Sequence, residues 1–365
     1  MKEFSRRALL KLAVNSPLAL LAPEREHRPR RTLGLYLPFR FLEREGEMQI
    51  FQELILTCGA NTIVVDIKNE TGQVNVPVDH DYFPRKAFQP SSYRGLIKLL
   101  RWASNHDVSL IARQPVMIDP QLVSAFPDLG IRNWSGRLWK DANDNTWANP
   151  FDERVVDYNA TIAASAASLG FSQIQFDYLR FPSGEHDLAS IYHSKRNTFE
   201  NRTAAISTFL KAAKPAVNAY GALLTADFFG YTAWYRHEQD MGIGQYIESA
   251  GPHLDGLCPM AYPSLYGSGI IDPCDNGCRP ATAHPYEIVY YTVKRTLERL
   301  LAVNPDAFVQ PWLQAYPDYR FNQPMGLSQF IAEQKGAFAA GAAGVMAWNN
   351  SLAYDPKSYL SIPNP

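Results

Sequence analysis

The chain has little cysteine, little net charge and no long apolar run, and each shortage narrows what it can be. Of its four cysteines, Cys58 and Cys258 fall in apolar stretches and read as buried thiols. Cys274 and Cys278 bracket the polar loop C-D-N-G-C, where a small-loop disulfide is the expected state in an oxidising compartment. A zinc site there would need two further ligands, and His284 is the one histidine close by, so no metal and no cofactor are expected. Formal net charge is −1 over 365 residues, without the clustered Lys/Arg that nucleic acid requires. The apolar stretch Leu12 to Ala22 is shorter than the ~20 residues of a membrane span, and no other segment resembles one. Also missing are G-x-S-x-G, H-E-x-x-H, paired C-x-x-C, and a G-x-G-x-x-G after the first strand, which removes serine hydrolase, zincin, zinc-ribbon and dinucleotide-binding readings.

What is present describes a core-forming protein, 46% hydrophobic and 19% charged. Eight Lys/Arg against three Asp/Glu crowd the first 31 residues, leaving 27 against 33 from Thr32 onward. Ser5-Arg6-Arg7-Ala8-Leu9-Leu10-Lys11 followed by apolar residues has the form of a twin-arginine export signal, so residues 1–31 are expected to be a leader and basic linker. The expected location is the periplasm or cell envelope.

From Thr32 the chain alternates strand-like and helix-like runs. Strand-like segments occur at 32–37, 61–67, 108–116, 173–182, 221–229, 254–262, 307–315 and 344–350. N-T-I-V-V-D-I at 61–67 is the continuous β-branched type buried on both faces. Most are followed by a stretch of helical spacing: 48–58, 93–105, 152–169, 198–217, 285–303 and 327–340. Eight strand-like runs, most followed by a helix-like one and with no dividing linker, predict a single (β/α)₈ TIM barrel over residues 32–360. An insertion at 119–150, after the third strand, carries Trp134, Trp139 and Trp147, indoles suited either to stacking on sugars or to pinning the loop.

In such a barrel the C-terminal strand ends share one mouth. They carry Asp66 and Lys68, Arg113, Asp177 with Tyr178 and Arg180, Asp227, Tyr262, Trp312 with Gln314, and Trp348 with Asn349. Asp177 and Asp227 end adjacent strands, and two facing carboxyls are what glycoside hydrolysis uses. The neighbouring Arg180 would keep Asp177 ionised as nucleophile, and the apolar neighbours Ala226 and Phe228 would raise Asp227 so that it holds a proton as acid/base. The other residues are the candidates for binding substrate.

Ordered blocks carry a resemblance beyond this pattern: V-V-D-I-K-N-E-T-G (64–72), W-K-D-A-N-D-N-T-W-A-N-P (139–150), Q-F-D-Y-L-R-F-P (175–182), A-D-F-F-G (226–230), P-M-A-Y-P-S (259–264), Q-P-W-L-Q (310–314) and A-W-N-N (347–350). From Thr32 to Asn350 the chain resembles a bacterial glycoside hydrolase-like domain family long catalogued as a domain of unknown function. The resemblance implies a TIM barrel distantly akin to the α-amylase clan, with a nucleophilic aspartate on strand four, matched by Asp177, and a general acid on strand five. Where that clan usually has glutamate, this chain has Asp227. The expected function is hydrolysis of a cell-envelope or extracellular polysaccharide. The alternatives are a carbohydrate-binding barrel without turnover, and a sugar-polymer deacetylase or lyase, which would want a metal or another base.

Overall fold

T-I-V-V-D at Thr62–Asp66 is buried at every position, as is Q-I-Q-F-D at Gln173–Asp177, a pattern that only a strand covered on both faces sustains. A computed structural model of the protein describes residues 31–183, 188–192, 194–235, 238–273, 278–320 and 325–359. Within them the barrel strands are β1 Thr32–Leu37, β2 Thr62–Asp66, β3 Ser109–Pro115, β4 Gln173–Asp177, β5 Leu223–Phe229, β6 Gly256–Met260, β7 in two pieces at Phe308–Val309 and Trp312–Gln314, and β8 Gly344–Trp348. Each pairs in parallel with the next, and β1 closes the ring on β8, from Thr32 opposite Gly344 to Leu35 opposite Ala347. The chain is a single (β/α)₈ TIM barrel.

The helices between strands are α1 Glu45–Thr57, α2 Pro90–Asn105, α3 Glu153–Ser168, α4 Phe199–Asn218, α5 Ile247–Ala250, α6 Pro285–Leu301 and α7 Leu327–Ala339. Helix α2 starts three residues before the periodic apolar run because Pro90 occupies its first turn, where a missing N–H costs nothing. Strand seven, expected as one segment, breaks at Gln310 and Pro311, since proline lacks the donor a ladder needs. Trp312 nonetheless pairs with Met260 on one side and Met346 on the other, and so completes the ring.

Two apolar layers result. One lies between sheet and helices; the other fills the barrel with Tyr36, Val64, Ile111, Cys258, Tyr262, Trp312 and Met346. The insertion is more ordered than its sequence suggests. Asp119 caps a helix at Pro120–Ala125 by accepting from the Leu122 amide at 2.9 Å, and Arg132–Asn133 pairs antiparallel with Ile191–Tyr192. Trp139 and Trp147 are buried and pin the loop, Trp147 donating to Asp141 at 3.0 Å, whereas Trp134 stands exposed. The export signal falls at 1–30, and half of the expected Cys274–Cys278 pair at Cys274, both outside the described residues. Cys58 and Cys258 are buried free thiols. Among the described residues no helix is long and apolar enough to cross a membrane.

Candidate active site

Asp177 is the last residue of β4, and Tyr178 after it turns the chain with φ of +50°, a left-handed conformation uncommon for a residue with a side chain. That turn brings the Tyr178 amide onto Oδ1 of Asp177 at 2.6 Å. The other oxygen, Oδ2, accepts from Nη2 and Nε of Arg113 at 2.6 and 3.0 Å. Arg113, on β3, is a hub. Its Nη1 reaches Asp66 at 2.7 Å and its Nη2 also reaches Glu70 at 2.8 Å, so one buried guanidinium holds three carboxylates. Glu70 arrives on a rigid turn: Asn69 accepts from the amides of Thr71 and Gln73 at 3.1 and 3.0 Å. Gly72 ends that turn at φ +81°, where any Cβ would collide with the Asp119 carboxylate.

Asp66 completes a second layer. It accepts from the Tyr36 hydroxyl at 2.6 Å and the Phe39 amide at 3.3 Å. Tyr36 stacks on Trp348 with centroids 4.0 Å apart, and the Arg113 guanidinium lies 4.9 Å over the Trp348 ring. Burial pushes the Asp66 carboxyl up to about 6 despite the pull of Arg113. Burial acts in the same direction on Glu70, but there the Arg113 charge and hydrogen bond prevail and hold it below the usual range.

Asp227, on β5, is fully buried, whereas Asp177 is 8% exposed. The last paired positions of β4 and β5 are Phe176 and Ala226, so each aspartate sits one residue further along its own strand. Oδ1 of Asp227 accepts from the indole N–H of Trp312 at 2.8 Å, and Oδ2 has no partner. Burial first, then the charge of Asp177, drives the Asp227 carboxyl well above the ordinary range. A carboxylate bonded to a guanidinium thus lies on the strand next to one that burial pushes toward its protonated form.

Three expected site residues are not brought into this arrangement. Lys68 is wholly buried behind the sheet, paired with Asp119 at 2.6 Å and bonded to Asn159 at 3.1 Å, because the chain leaves the barrel wall after Asp66 and turns toward α3. Both ends of the Gln314 amide brace loops, accepting from Ser264 at 2.9 Å and donating to Tyr316 at 3.0 Å. Asn349 donates to the carbonyls of Ala315 and Ala353 at 2.5 and 3.1 Å. Arg180 is not the hydrogen-bond partner expected for Asp177. It lies 4.8 Å over Trp147, 5.1 Å over Tyr178 and 5.2 Å over Phe229, and donates to Phe181 O and Ser183 Oγ. Tyr262, Trp312 and Trp348 belong to the ring-lined interior, with Tyr316 edge-on to Tyr262 at 5.7 Å.

Tyr36 and Glu70 were missed by the sequence reading. Tyr36 sits at the end of β1, where the strand-end rule applied to the later strands also holds, and Glu70 lies inside the 64–72 block. Among the described residues no group of three or more His, Cys, Asp or Glu is placed to hold a metal ion. The three carboxylates around Arg113 are satisfied by that cation.

Residues 34–354 match a family described as "Putative glycosyl hydrolase domain". No curated protein matches the chain. Among solved structures, the PgaB (BpsB) glycoside hydrolase domain from Bordetella bronchiseptica superposes with a TM-score of 0.60 at 12% identity, covering 90% of this chain and 97% of that one. The endo-1,4-beta-mannanase from Rhizomucor miehei gives 0.56 at 10% identity over 89% and 87% of the two chains. TtGalA, the alpha-galactosidase from Thermus thermophilus, gives 0.54 at 16% identity over 94% of this chain and 64% of that one. At these identities the likeness shows the shared barrel.

Proposed function

The chain belongs to this family of glycosyl hydrolase domains, and from that premise we propose that it cleaves O-glycosidic bonds of a polysaccharide with Asp177 as nucleophile and Asp227 as acid/base. One observation carries the assignment: Asp177, doubly bonded to Arg113, ends the strand next to that of a fully buried Asp227 whose Oδ2 is unpartnered and whose carboxyl burial pushes upward. Protonated Asp227 gives its proton to the departing glycosidic oxygen while Asp177 attacks the anomeric carbon. Asp227, now ionised, then takes a proton from the water that releases the sugar from Asp177. Asp177 and Asp227 follow paired positions of neighbouring strands, and the mode assigned to them is retention, in which the two carboxyls stand ~5–5.5 Å apart. Arg113 pairs with Asp177 at 2.6 Å, and Tyr36 with Trp348 offers a stacked aromatic face beside that guanidinium.

The test uses an activated aryl glycoside found by screening a broad glycan panel. Asp177→Gly is expected to lose turnover and to regain it with azide, giving a glycosyl azide of inverted anomeric configuration; Asp227→Gly is expected to give an azide of retained configuration. Wild-type turnover in either variant, or no cleavage of any glycan by the wild type, would overturn the reading. The Arg6-Arg7 pair in an apolar leader supports export, and Arg6→Lys with Arg7→Lys is expected to leave the protein in the cytoplasm. Unchanged delivery would remove that part of the reading.

A further inference from the structure

β5 and β6 end side by side, with Phe229 opposite Met260 in their parallel register. Phe229 lies two residues past Asp227, and Met260 two past Cys258, so strand alternation keeps both on the barrel-facing side, about 7 Å further toward the mouth than the acid. Met260 packs on the barrel-interior cluster. With Tyr231, Met241, Leu265 and Tyr266 these two side chains wall a pocket of about 180 Å³. Two of its walls thus begin two residues beyond Asp227 and Cys258, on the mouth side of the candidate active site.

The hydrogen bonds explain why its walls are apolar. Tyr231 accepts the Gly267 amide at 2.7 Å, and the Tyr266 hydroxyl is engaged with Thr292 at 2.8 Å. The two rings stack at 4.8 Å, so they present carbon surface with their hydroxyls already tied. Met241 is held over the pocket by a built turn. Its φ of +56° is one that residues with side chains seldom adopt. The turn persists because the Asp240 carboxylate accepts the amides of Gly242 and Gly244 at 3.1 and 2.8 Å and pairs with Arg202 at 2.7 Å. A strained residue fixed by surrounding bonds at the rim of a cleft is the kind of feature that marks ligand contact.

We propose that this pocket receives the acyl group of an N- or O-acetylated sugar, in the unit next to the bond that Asp227 protonates; the proposal rests on the glycoside hydrolase reading. An unsubstituted hexose would press hydroxyls against these rings and thioethers and leave them unpaired. An acetyl group instead offers a methyl to the pocket, and two flexible methionines can close around it. The volume takes the acetyl with the adjoining edge of the ring.

The experiment reads ligand-observed saturation-transfer NMR and affinity on the full chain, with N-acetylglucosamine against glucosamine and 6-O-acetylglucose against glucose as probes. Wild type is expected to bind an acetylated probe about tenfold or more tightly than its partner, the range a filled apolar pocket supplies, with the strongest saturation on the acetyl methyl. Met241→Asn, which tolerates the left-handed backbone, and Leu265→Gln, on a separate segment, are expected to abolish the preference without changing thermal unfolding. The two probe pairs distinguish N-acyl from O-acyl sugars. Equal affinities within both pairs, methyl saturation no greater than that of ring protons, or wild-type preference in both variants would overturn the proposal. Absence of hydrolysis alongside an intact preference sinks the glycosidase reading alone, and hydrolysis without preference sinks this inference alone.

Discussion

Trp312 and Asp227, 85 residues apart in sequence, meet inside the barrel, the indole N–H donating to Oδ1 of the aspartate at 2.8 Å while Oδ2 has no partner. Because Oδ1 is already an acceptor, the retained proton belongs on Oδ2. One hydrogen bond therefore decides which oxygen of the acid donates.

Trp312→Phe removes that bond and keeps most of the ring. The indole lowers the Asp227 carboxyl, so without it the carboxyl rises further and the alkaline limb of kcat/KM is expected to move to higher pH. The rate at neutral pH should fall on the order of tenfold, the worth of one hydrogen bond of ~1–1.5 kcal/mol. An unchanged pH profile would argue that Asp227 is not the proton donor.

Arg113 neutralises part of the charge on Asp66, Glu70 and Asp177 from a fully buried position. Arg113→Met leaves these carboxylates without their cation and is expected to reduce the unfolding free energy by about 3–5 kcal/mol. Arg113→Lys keeps a charge but loses the fork, so it should fall between wild type and Met. Denaturant unfolding decides, and a loss in Arg113→Met below about 1 kcal/mol would mean that the hub is not what holds the site.

Asp66, raised to about 6 in the folded protein, binds more proton there than in the unfolded chain, where a carboxyl titrates near ~3.9. Its contribution to stability is therefore complete below about pH 4 and is lost as pH rises toward about 6, with a slope approaching ~1.4 kcal/mol per unit. Asp66→Asn should lower stability overall, because its amide would face the donors of Arg113 and Tyr36, yet flatten the slope in this window. Unfolding curves at pH 4, 5 and 6 compare the two slopes, and identical slopes would contradict the assignment.

Glu333, fully buried on α7, accepts the backbone N–H of Gln314 at 2.7 Å with Oε2 and has no partner for Oε1. Burial raises its carboxyl well above the usual range, so its stabilising proton is lost at a high pH. Glu333→Gln substitutes a permanently neutral amide. It should match wild type near pH 5 and exceed it at pH 8, where the unfolded glutamate is ionised and the buried one is held from ionising. A destabilised variant at pH 8 would show that the carboxylate is needed ionised.

All eight barrel strands lie in the segments the sequence marked, because parallel strands covered on both faces read as short, largely apolar runs. Asp177 and Asp227 were legible as strand-end acids, and the upward direction of Asp227 followed from its apolar neighbours. The partner of Asp177 was not legible. Arg180 is three residues away, yet the left-handed turn at Tyr178 directs the chain so that Arg180 lies among rings, and the salt bridge comes from Arg113 on β3.

Local order thus set the elements: apolar periodicity, proline at a helix start and glycine in the turn after Asn69 act over a few residues and need no partner elsewhere. Ring closure decided everything that depends on distance across the barrel. It brought Trp312 to Asp227, placed Tyr36 and Glu70 in the network of Arg113, and turned Lys68, Gln314 and Asn349 away to satisfy buried backbone and charge. Hydrogen bonds and ion pairs act over a few ångströms, and only the closed sheet makes residues dozens to hundreds of positions apart neighbours at that range.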